Sequence, residues 1–322
     1  MRIQTHDTAS HLWGDKRYYS LNYYLKQTFG EKVYRLSLDG GMTCPNRDGV
    51  LSTKGCSFCS AGGSGDFASS RTLSVTDQLE DARKRIEKKT GCTKFIAYFQ
   101  AYTNTYAPVS RLRALYTEAL SHPQVCALSI GTRSDCLPDE VLELLAELNK
   151  KKPVWVELGL QTIHNETLKR LNTHTTVEQF DDAVKRLTAR NIPVTAHLIF
   201  GLPGETKEMM LASIDHLAHS KISGIKLQLL HILKGTGLAA LYEAAPFPLF
   251  TLEEYCDFIV DCIERLPEDI VIHRITGDGP RALLLAPLWS TDKKRVLNTI
   301  QKRFLARNTW QGKYAFSNEK TP

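Results

Sequence analysis

Short apolar runs alternate along the chain with longer segments in which apolar residues recur every three or four positions. The short runs, bounded by glycine or proline, predict strands, and the longer segments predict amphipathic helices. The predicted strands are Val33–Leu38, Lys94–Gln100, Ala127–Gly131, Val154–Leu160, Val194–Phe200, Gly224–Leu230 and Ile270–Ile275. The predicted helices are Val75–Lys88, Ser110–Ser121, Asp139–Asn149, Asn165–Leu171, Thr176–Ala189, Glu208–His219 and Leu252–Leu266.

A helix between successive strands indicates βαβ units and a parallel sheet. Six or seven units fit an α/β fold of the partial or complete (β/α) barrel type better than an open doubly wound sheet. Reactive groups of such barrels lie at the C-terminal ends of the strands. We expect residues 1–31 to form an N-terminal extension, 32–280 the barrel, and 281–322 a basic helical extension packed on the barrel.

The composition, 42% hydrophobic and 24% charged over 322 residues, is typical of a soluble globular protein. No apolar run approaches the roughly 20 residues of a membrane helix, and the N-terminus lacks an apolar signal core. A cytoplasmic location without a membrane partner is therefore expected. The net charge of +6 permits a nucleic-acid partner without requiring one.

Three cysteines, Cys44, Cys56 and Cys59, are separated by eleven and by two residues. This spacing among glycines is typical of a metal site. Closed zinc sites take four protein ligands, and iron–sulfur clusters usually take four cysteines. Three thiolates on a four-iron cluster would leave one iron open for a substrate or cofactor. The alternative is a zinc knuckle with a distant fourth ligand such as His11 or Cys92.

The cysteine loop starts Cys44-Pro-Asn-Arg-Asp-Gly and is followed by Ser60-Ala-Gly-Gly-Ser-Gly-Asp-Phe. With the strand order, it resembles the radical S-adenosylmethionine (SAM) superfamily, and within it the bacterial YhcC/YtqA family. That family is related to the elongator catalytic subunit and the oxygen-independent coproporphyrinogen oxidase. The resemblance, which runs from about Lys16 to Ala315, implies that the three cysteines hold a [4Fe–4S] cluster whose open iron binds SAM.

The resemblance also implies a reaction and a first set of cofactor contacts. SAM would be cleaved reductively to a 5′-deoxyadenosyl radical, with an electron donor such as flavodoxin or ferredoxin. Phe58 would lie against the adenine, and Gly201 would allow its close approach. Gln100 and Thr103 are the polar candidates after the second strand, where relatives carry glycines.

Further contacts are expected on the third and fourth strands. The planar fork of Arg133 suits the SAM carboxylate, although a local Arg133–Asp135 pair explains it equally well. Alternation places Glu157 and Gln161 on one face, where ribose hydroxyls would satisfy the buried carboxylate and amide. Relatives often carry an arginine where this chain has Thr173, so Arg133 is expected to compensate.

Polar residues at the ends of the sixth and seventh strands are the candidates for catalytic contacts with the substrate. They are His231, Lys234, His273, Arg274 and Asp278.

Basic residues near both ends of the chain suggest RNA as a partner. The helix expected from Asp292 to Arg307 carries Lys293, Lys294, Arg295, Lys302, Arg303 and Arg307. A solvated helix face explains this charge as well, and packing on the barrel bottom explains the basic and aromatic segment from Lys16 to Tyr24. The leading hypothesis is a radical SAM enzyme that modifies tRNA at the wobble uridine side chain. The alternatives are radical chemistry on a small metabolite and a non-catalytic iron–sulfur or zinc protein that binds a partner or senses redox state.

Overall fold

Seven parallel strands form the central sheet. The computed structural model describes residues 12–277 and 279–315. The sheet strands are β1 (Val33–Leu38), β2 (Lys94–Phe99), β3 (Val125–Thr132), β4 (Val154–Gln161), β5 (Val194–Phe200), β6 (Gly224–Leu229) and β8 (Val271–Arg274). A second, antiparallel pair joins β7 (Ile232–Leu233) to β9 (Leu284–Ala286). The helices are α1 (Leu21–Phe29), α2 (Val75–Thr90), α3 (Val109–Ser121), α4 (Asp139–Asn149), α5 (Asn165–Arg170), α6 (Val177–Thr188), α7 (Lys207–Ala218), α8 (Gly237–Ala244), α9 (Leu252–Arg265) and α10 (Lys293–Ala306), with a short 3-10 helix at Leu288–Thr291.

The strand order β1-β2-β3-β4-β5-β6-β8 leaves β1 and β8 at the two edges. The sheet is nevertheless curled, because Nη2 of Arg35 on β1 lies 2.7 Å from Nδ1 of His273 on β8. The fold is therefore a partial (β/α) barrel, which confirms the predicted class. Each predicted sheet strand is present. Among the described residues, no helix combines the length and apolar character needed to cross a membrane.

The two faces of the sheet differ because side chains alternate along a strand. On β4, Val156 and Leu158 join the large apolar core shared with the covering helices. Between them, Glu157 faces the concave interior, where it is 1% exposed. The curled sheet therefore has an apolar outer face and a polar inner one.

Helix α1 packs across the N-terminal ends of the strands. Its Leu25 forms an apolar cluster with Val33, Ile96 and Trp155 at the beginnings of β1, β2 and β4. Just before this helix, the carbonyl of Tyr19 accepts a hydrogen bond of 2.7 Å from Ile272 N on β8. One end of the partial barrel is thus filled, and the opposite end holds the C-terminal strand ends.

The basic and aromatic segment before α1 also packs against the C-terminal region. Arg17 Nη1 donates to Asn308 Oδ1 at 3.2 Å, and the buried Tyr18 ring lies 5.9 Å from that of Phe304 on α10. The segment therefore serves internal packing, as its alternative explanation predicted, rather than presenting Arg17 and Tyr18 to RNA.

Candidate functional site

A cavity of about 490 Å³ opens at the C-terminal ends of the strands. Most of the residues predicted from the sequence line it together. They are Cys44, Cys56, Phe58, Cys59, Gln100, Thr103, Arg133, Glu157, Gln161, His231 and Arg274. The position of this cavity agrees with the rule that barrels of this kind carry their reactive groups at this end.

Three predicted residues do not line the cavity. Lys234 is exposed on the turn after β7, and His273 points into the interior beneath the cavity, where Arg35 contacts it. Gly201, with φ +89°, lies against an aromatic side chain instead of the cavity, since a Cβ there would meet Phe250 at 3.3 Å. Asp278 lies outside the described residues.

The cysteine loop is held by hydrogen bonds on several sides. Ser57 N donates to Leu171 O at 2.9 Å, and Leu238 N at the beginning of α8 donates to Ser57 O at 2.7 Å. Arg47 Nη2 donates to the carbonyls of Cys59 and Ser60 at 3.0 and 2.7 Å. The loop is therefore attached to the protein on several sides.

The three loop cysteines are half-buried free thiols on one cavity wall. Burial, followed by the neighbouring Cys59, raises the pKa of Cys56 to about 11, so the sulfurs interact electrostatically. Within the described part of the chain, no three His, Cys, Asp or Glu side chains converge on a position for a single metal ion. A [4Fe–4S] cluster does not require that convergence, because each cysteine binds a different iron. Three thiolates suit such a cluster with one open iron, whereas a closed zinc site takes four protein ligands.

One of the two suggested fourth zinc ligands, Cys92, does not complete the site. Cys92 precedes β2 and therefore lies at the opposite end of the sheet from the cysteine loop. A strand of this length separates the two ends by about 20 Å at its usual rise per residue. His11 lies outside the described residues.

Arg133 is engaged with protein groups. Its Nε and Nη2 donate to the two carboxylate oxygens of Asp135 at 2.9 and 2.7 Å, and Nη1 donates to Thr173 O at 2.9 Å. The local pair considered in the sequence is therefore formed. The guanidinium nevertheless reaches the backbone of Thr173. A cofactor carboxylate could bind the Arg133 guanidinium at Nε and Nη2 only by displacing the carboxylate of Asp135.

Gln161 departs from regular strand geometry at the cavity wall. The pairing register shifts between Gly159 and Gln161, and Gln161 has a left-handed φ of +70°. Its Nε2 lies 2.5 Å from where a Cβ on Gly159 would stand, so a larger residue at 159 would displace the end of the Gln161 side chain. The alternation that placed Gln161 on the face of Glu157 is interrupted here, although both line the cavity. A strained non-glycine residue is more common at functional sites than elsewhere.

Glu157 is the centre of a buried network beneath the cavity. Its Oε1 accepts from Arg35 Nη1 at 3.0 Å and from Ser129 Oγ at 2.9 Å. Its Oε2 accepts from His197 Nε2 at 3.0 Å and from Lys226 Nζ. Protein donors thus satisfy both oxygens, so Glu157 does not need ribose hydroxyls to compensate its burial.

Each strand of the curled sheet contributes one residue to this network, which we call the ionic cluster. Lys226 also donates to Tyr98 Oη at 3.1 Å, and Arg35 also donates to His273. Its members are Arg35, Tyr98, Ser129, Glu157, His197, Lys226 and His273. Sequence reasoning missed five of them: Arg35, Tyr98, Ser129, His197 and Lys226. Arg35 and Lys226 carried a signal, because each is the single charged residue of its strand, and a charge that faces the interior needs a partner.

The charges of the ionic cluster follow from burial and from each other. Burial opposes ionisation of Glu157, yet Arg35 and Lys226 hold its pKa well below the ordinary range. Burial lowers the pKa of Lys226 to about 7, and Arg35 and Arg274 reinforce burial against the attraction of Glu157. Burial and then Lys226 lower the pKa of His197 to about 4. Near neutral pH the carboxylate is therefore ionised, His197 is neutral, and Lys226 is the member whose charge changes.

Known families and proteins resemble this chain over most of its length. The family model of the radical SAM superfamily matches residues 49–217, and that of the radical SAM C-terminal domain matches residues 222–306. The protein YtqA of Bacillus subtilis is 44% identical over 300 residues, which cover 93% of each chain. The resemblance to the YhcC/YtqA family is thereby confirmed.

Two further matches are more distant. The archaeal Elp3 structure from Methanocaldococcus infernus superposes with a TM-score of 0.66 at 18% identity, over 90% of this chain and 68% of that one. A tRNA uridine(34) acetyltransferase of Methanocaldococcus jannaschii is 28% identical over 162 residues, or 49% of this chain and 29% of that protein. The first match shows a shared fold, and the second covers only part of both chains.

Proposed function

The chain belongs to the radical SAM superfamily, which uses a [4Fe–4S] cluster and SAM, and we propose that it is an enzyme that modifies the wobble uridine of tRNA. In this proposal Cys44, Cys56 and Cys59 hold the cluster. When bound, the cluster and SAM supply a 5′-deoxyadenosyl radical. The observation that carries the radical chemistry in this proposal is the arrangement of three free thiols on the wall of a 490 Å³ cavity above a buried ionic cluster.

The protein's own residues position the cofactor and exclude water. Phe58 lines the cavity beside the cysteines and packs on the apolar cluster that includes Leu202 and Leu230. Its ring would cover the adenine, and Arg133 would bind the SAM carboxylate after exchanging Asp135. Gln100, Thr103 and Gln161 would contribute polar contacts. An exposed loop beside Cys56 would meet an electron donor such as flavodoxin or ferredoxin.

The floor of the cavity provides the proton chemistry in this proposal. Lys226, which is 2% exposed, lines the cavity and titrates near neutral pH. Glu157 holds its ammonium group in place, so Lys226 could give or take one proton at its Nζ. His231 and Arg274 line the same cavity and remain the proposed substrate contacts.

The tRNA substrate is supported by the partial similarity to a tRNA uridine(34) acetyltransferase. The basic helix α10 supports it less than the sequence indicated. Its Arg303 and Arg307 pair with Asp257 on α9 at 3.2 and 2.7 Å, and Arg295 lies 4.0 Å from Glu253. Much of the charge that suggested a polyanion is therefore neutralised within the protein.

This internal neutralisation favours radical chemistry on a small metabolite as a second candidate. Modified nucleosides in tRNA from wild-type and deletion cells, compared by mass spectrometry, separate the two. Loss of one wobble-uridine nucleoside in the deletion strain supports the tRNA proposal. An unchanged nucleoside profile refutes it and leaves the small metabolite.

The reaction class has its own test in anaerobically reconstituted protein. We expect a brown protein that forms 5′-deoxyadenosine from SAM and a reductant. Cys59→Ala should abolish this product, whereas Cys126→Ala, a free cysteine on β3 away from the cavity lining, should not. A colourless, zinc-containing wild-type protein without SAM cleavage would refute the radical mechanism and favour a non-catalytic metal protein.

A further inference from the structure

Asn46 lies wholly buried beside one of the three loop cysteines. It is 0% exposed, and its Nδ2 is 3.3 Å from Cys56 Sγ and 2.6 Å from Asn172 O. An amide nitrogen has two hydrogens, so one serves the carbonyl and the other faces the sulfur.

The orientation of this amide is determined by Asn172. A carbonyl oxygen only accepts hydrogen bonds, so the atom of Asn46 that lies 2.6 Å from Asn172 O must be the nitrogen. The Asn46 Oδ1 has no partner among the described residues. A flipped amide would place two oxygens in contact, and the N–H therefore points at Cys56.

Asn172 is itself held in place against the cysteine loop. Its backbone is left-handed, with φ +55°, and its Nδ2 donates to Gly55 O at 2.8 Å. Gly55 N in turn donates to Asn46 O at 2.7 Å. The bond from Asn46 Nδ2 to Asn172 O orients the amide toward Cys56, whereas the bond to Gly55 attaches the Asn172 side chain to the loop without contacting Asn46.

We infer that Asn46 raises the reduction potential of the cluster by donating an N–H···S hydrogen bond to Cys56. The inference rests on the proposed function, in which Cys56 is a cluster ligand. Reduction adds negative charge to the cluster and its sulfurs, so a hydrogen-bond donor stabilises the reduced form more than the oxidised one. Asn46 is therefore a positioning residue that tunes the cluster and does not touch the substrate.

The test measures the potential rather than turnover. Wild-type, Asn46→Leu and Asn46→Asp proteins are reconstituted anaerobically, and the midpoint potential is obtained from the EPR signal of the reduced cluster. Leucine has a similar size but no hydrogen-bond donor, so we expect the cluster in Asn46→Leu to have a lower midpoint potential than in the wild type. Aspartate keeps the shape but, protonated in this buried position, it has one hydrogen, which Asn172 O would take; the cluster potential of this variant should therefore also fall.

Asn172→Gly is the matched control. Glycine keeps the left-handed backbone and the carbonyl that binds Asn46 but removes the bond to Gly55. We expect the wild-type potential in this variant, because the N–H···S bond remains. A fall equal to that of Asn46→Leu would assign the effect to loosening of the loop and overturn the inference.

The remaining outcomes are also decisive. If the Asn46 variants contain the cluster and have the wild-type potential, the inference is overturned and the proposed function remains intact. If neither Asn46 variant holds a cluster at wild-type iron and sulfide content, Asn46 serves assembly and not tuning, which also overturns it. A wild-type protein that takes up no cluster overturns the proposed function, and the inference with it.

Discussion

Replacement of Glu157 by glutamine removes the central charge of the ionic cluster and keeps the shape of the side chain. Arg35, whose side chain is 17% exposed, then loses the carboxylate at 3.0 Å that compensates its charge. Removing one partner of a buried ion pair costs about 3–5 kcal/mol, because the other charge remains buried. We expect the free energy of unfolding to fall by that amount.

The cost should depend on pH through Lys226. In the wild type its pKa is about 7, and without the attraction of Glu157 its pKa falls further. At pH 8.5 Lys226 is neutral in both proteins, so the cost comes from Arg35. Below pH 7 the folded wild type binds a proton at Lys226 that the folded variant does not bind. The difference in the free energy of unfolding between the two proteins therefore grows by about 1.4 kcal/mol per pH unit. The loss should therefore be about 1 kcal/mol larger at pH 6 than at pH 8.5.

Urea unfolding followed by tryptophan fluorescence at the two pH values measures both effects. Glu147→Gln on the exposed side of α4 is the matched control, since it removes the same charge from a solvated surface pair with Arg113. Its effect should stay within about 0.5 kcal/mol. A Glu157→Gln protein as stable as this control, or one whose loss shrinks as the pH falls, would refute the reasoning.

Other consequences of the structure can be checked separately. Between about pH 7 and 10.5 the unfolded lysine holds a proton that the folded one has released, so the wild-type stability should rise with pH in this range. Lys226→Met should abolish this rise. Urea midpoints that increase equally in both proteins from pH 7 to pH 9 would contradict this. Leu25→Ala should cost about 2–5 kcal/mol in thermal unfolding, because Leu25 is buried against the strand beginnings. If tRNA binds α10, Lys302→Ala should reduce the slope of log affinity against log salt by about 0.9. Arg307→Ala, whose guanidinium pairs with Asp257, should lower stability and leave that slope unchanged; equal slopes for the two variants would contradict the assignment.

The sequence by itself determined the elements and their order. Strands β1 and β5 and helix α4 have the predicted bounds, because their apolar pattern is local and glycine or proline marks their ends. The cysteine spacing is equally local, and it indicated both the family and the end of the barrel at which the site lies.

The partners of the polar groups depended on the tertiary structure. The sequence could not choose between a cofactor carboxylate and Asp135 for Arg133, and the loop conformation selected Asp135. In the sequence the basic residues of α10 were candidates for binding a polyanion, but the tertiary structure places acidic residues of α9 beside them.

The ionic cluster shows the physical reason most clearly. Arg35 and His273 are 238 residues apart in the chain, yet they meet because the sheet curls until its edge strands face each other. The sequence shows that a charge inside a strand needs a partner, but the identity of that partner depends on strand order, register and curvature. Those are properties of the whole sheet, which no local pattern of residues contains.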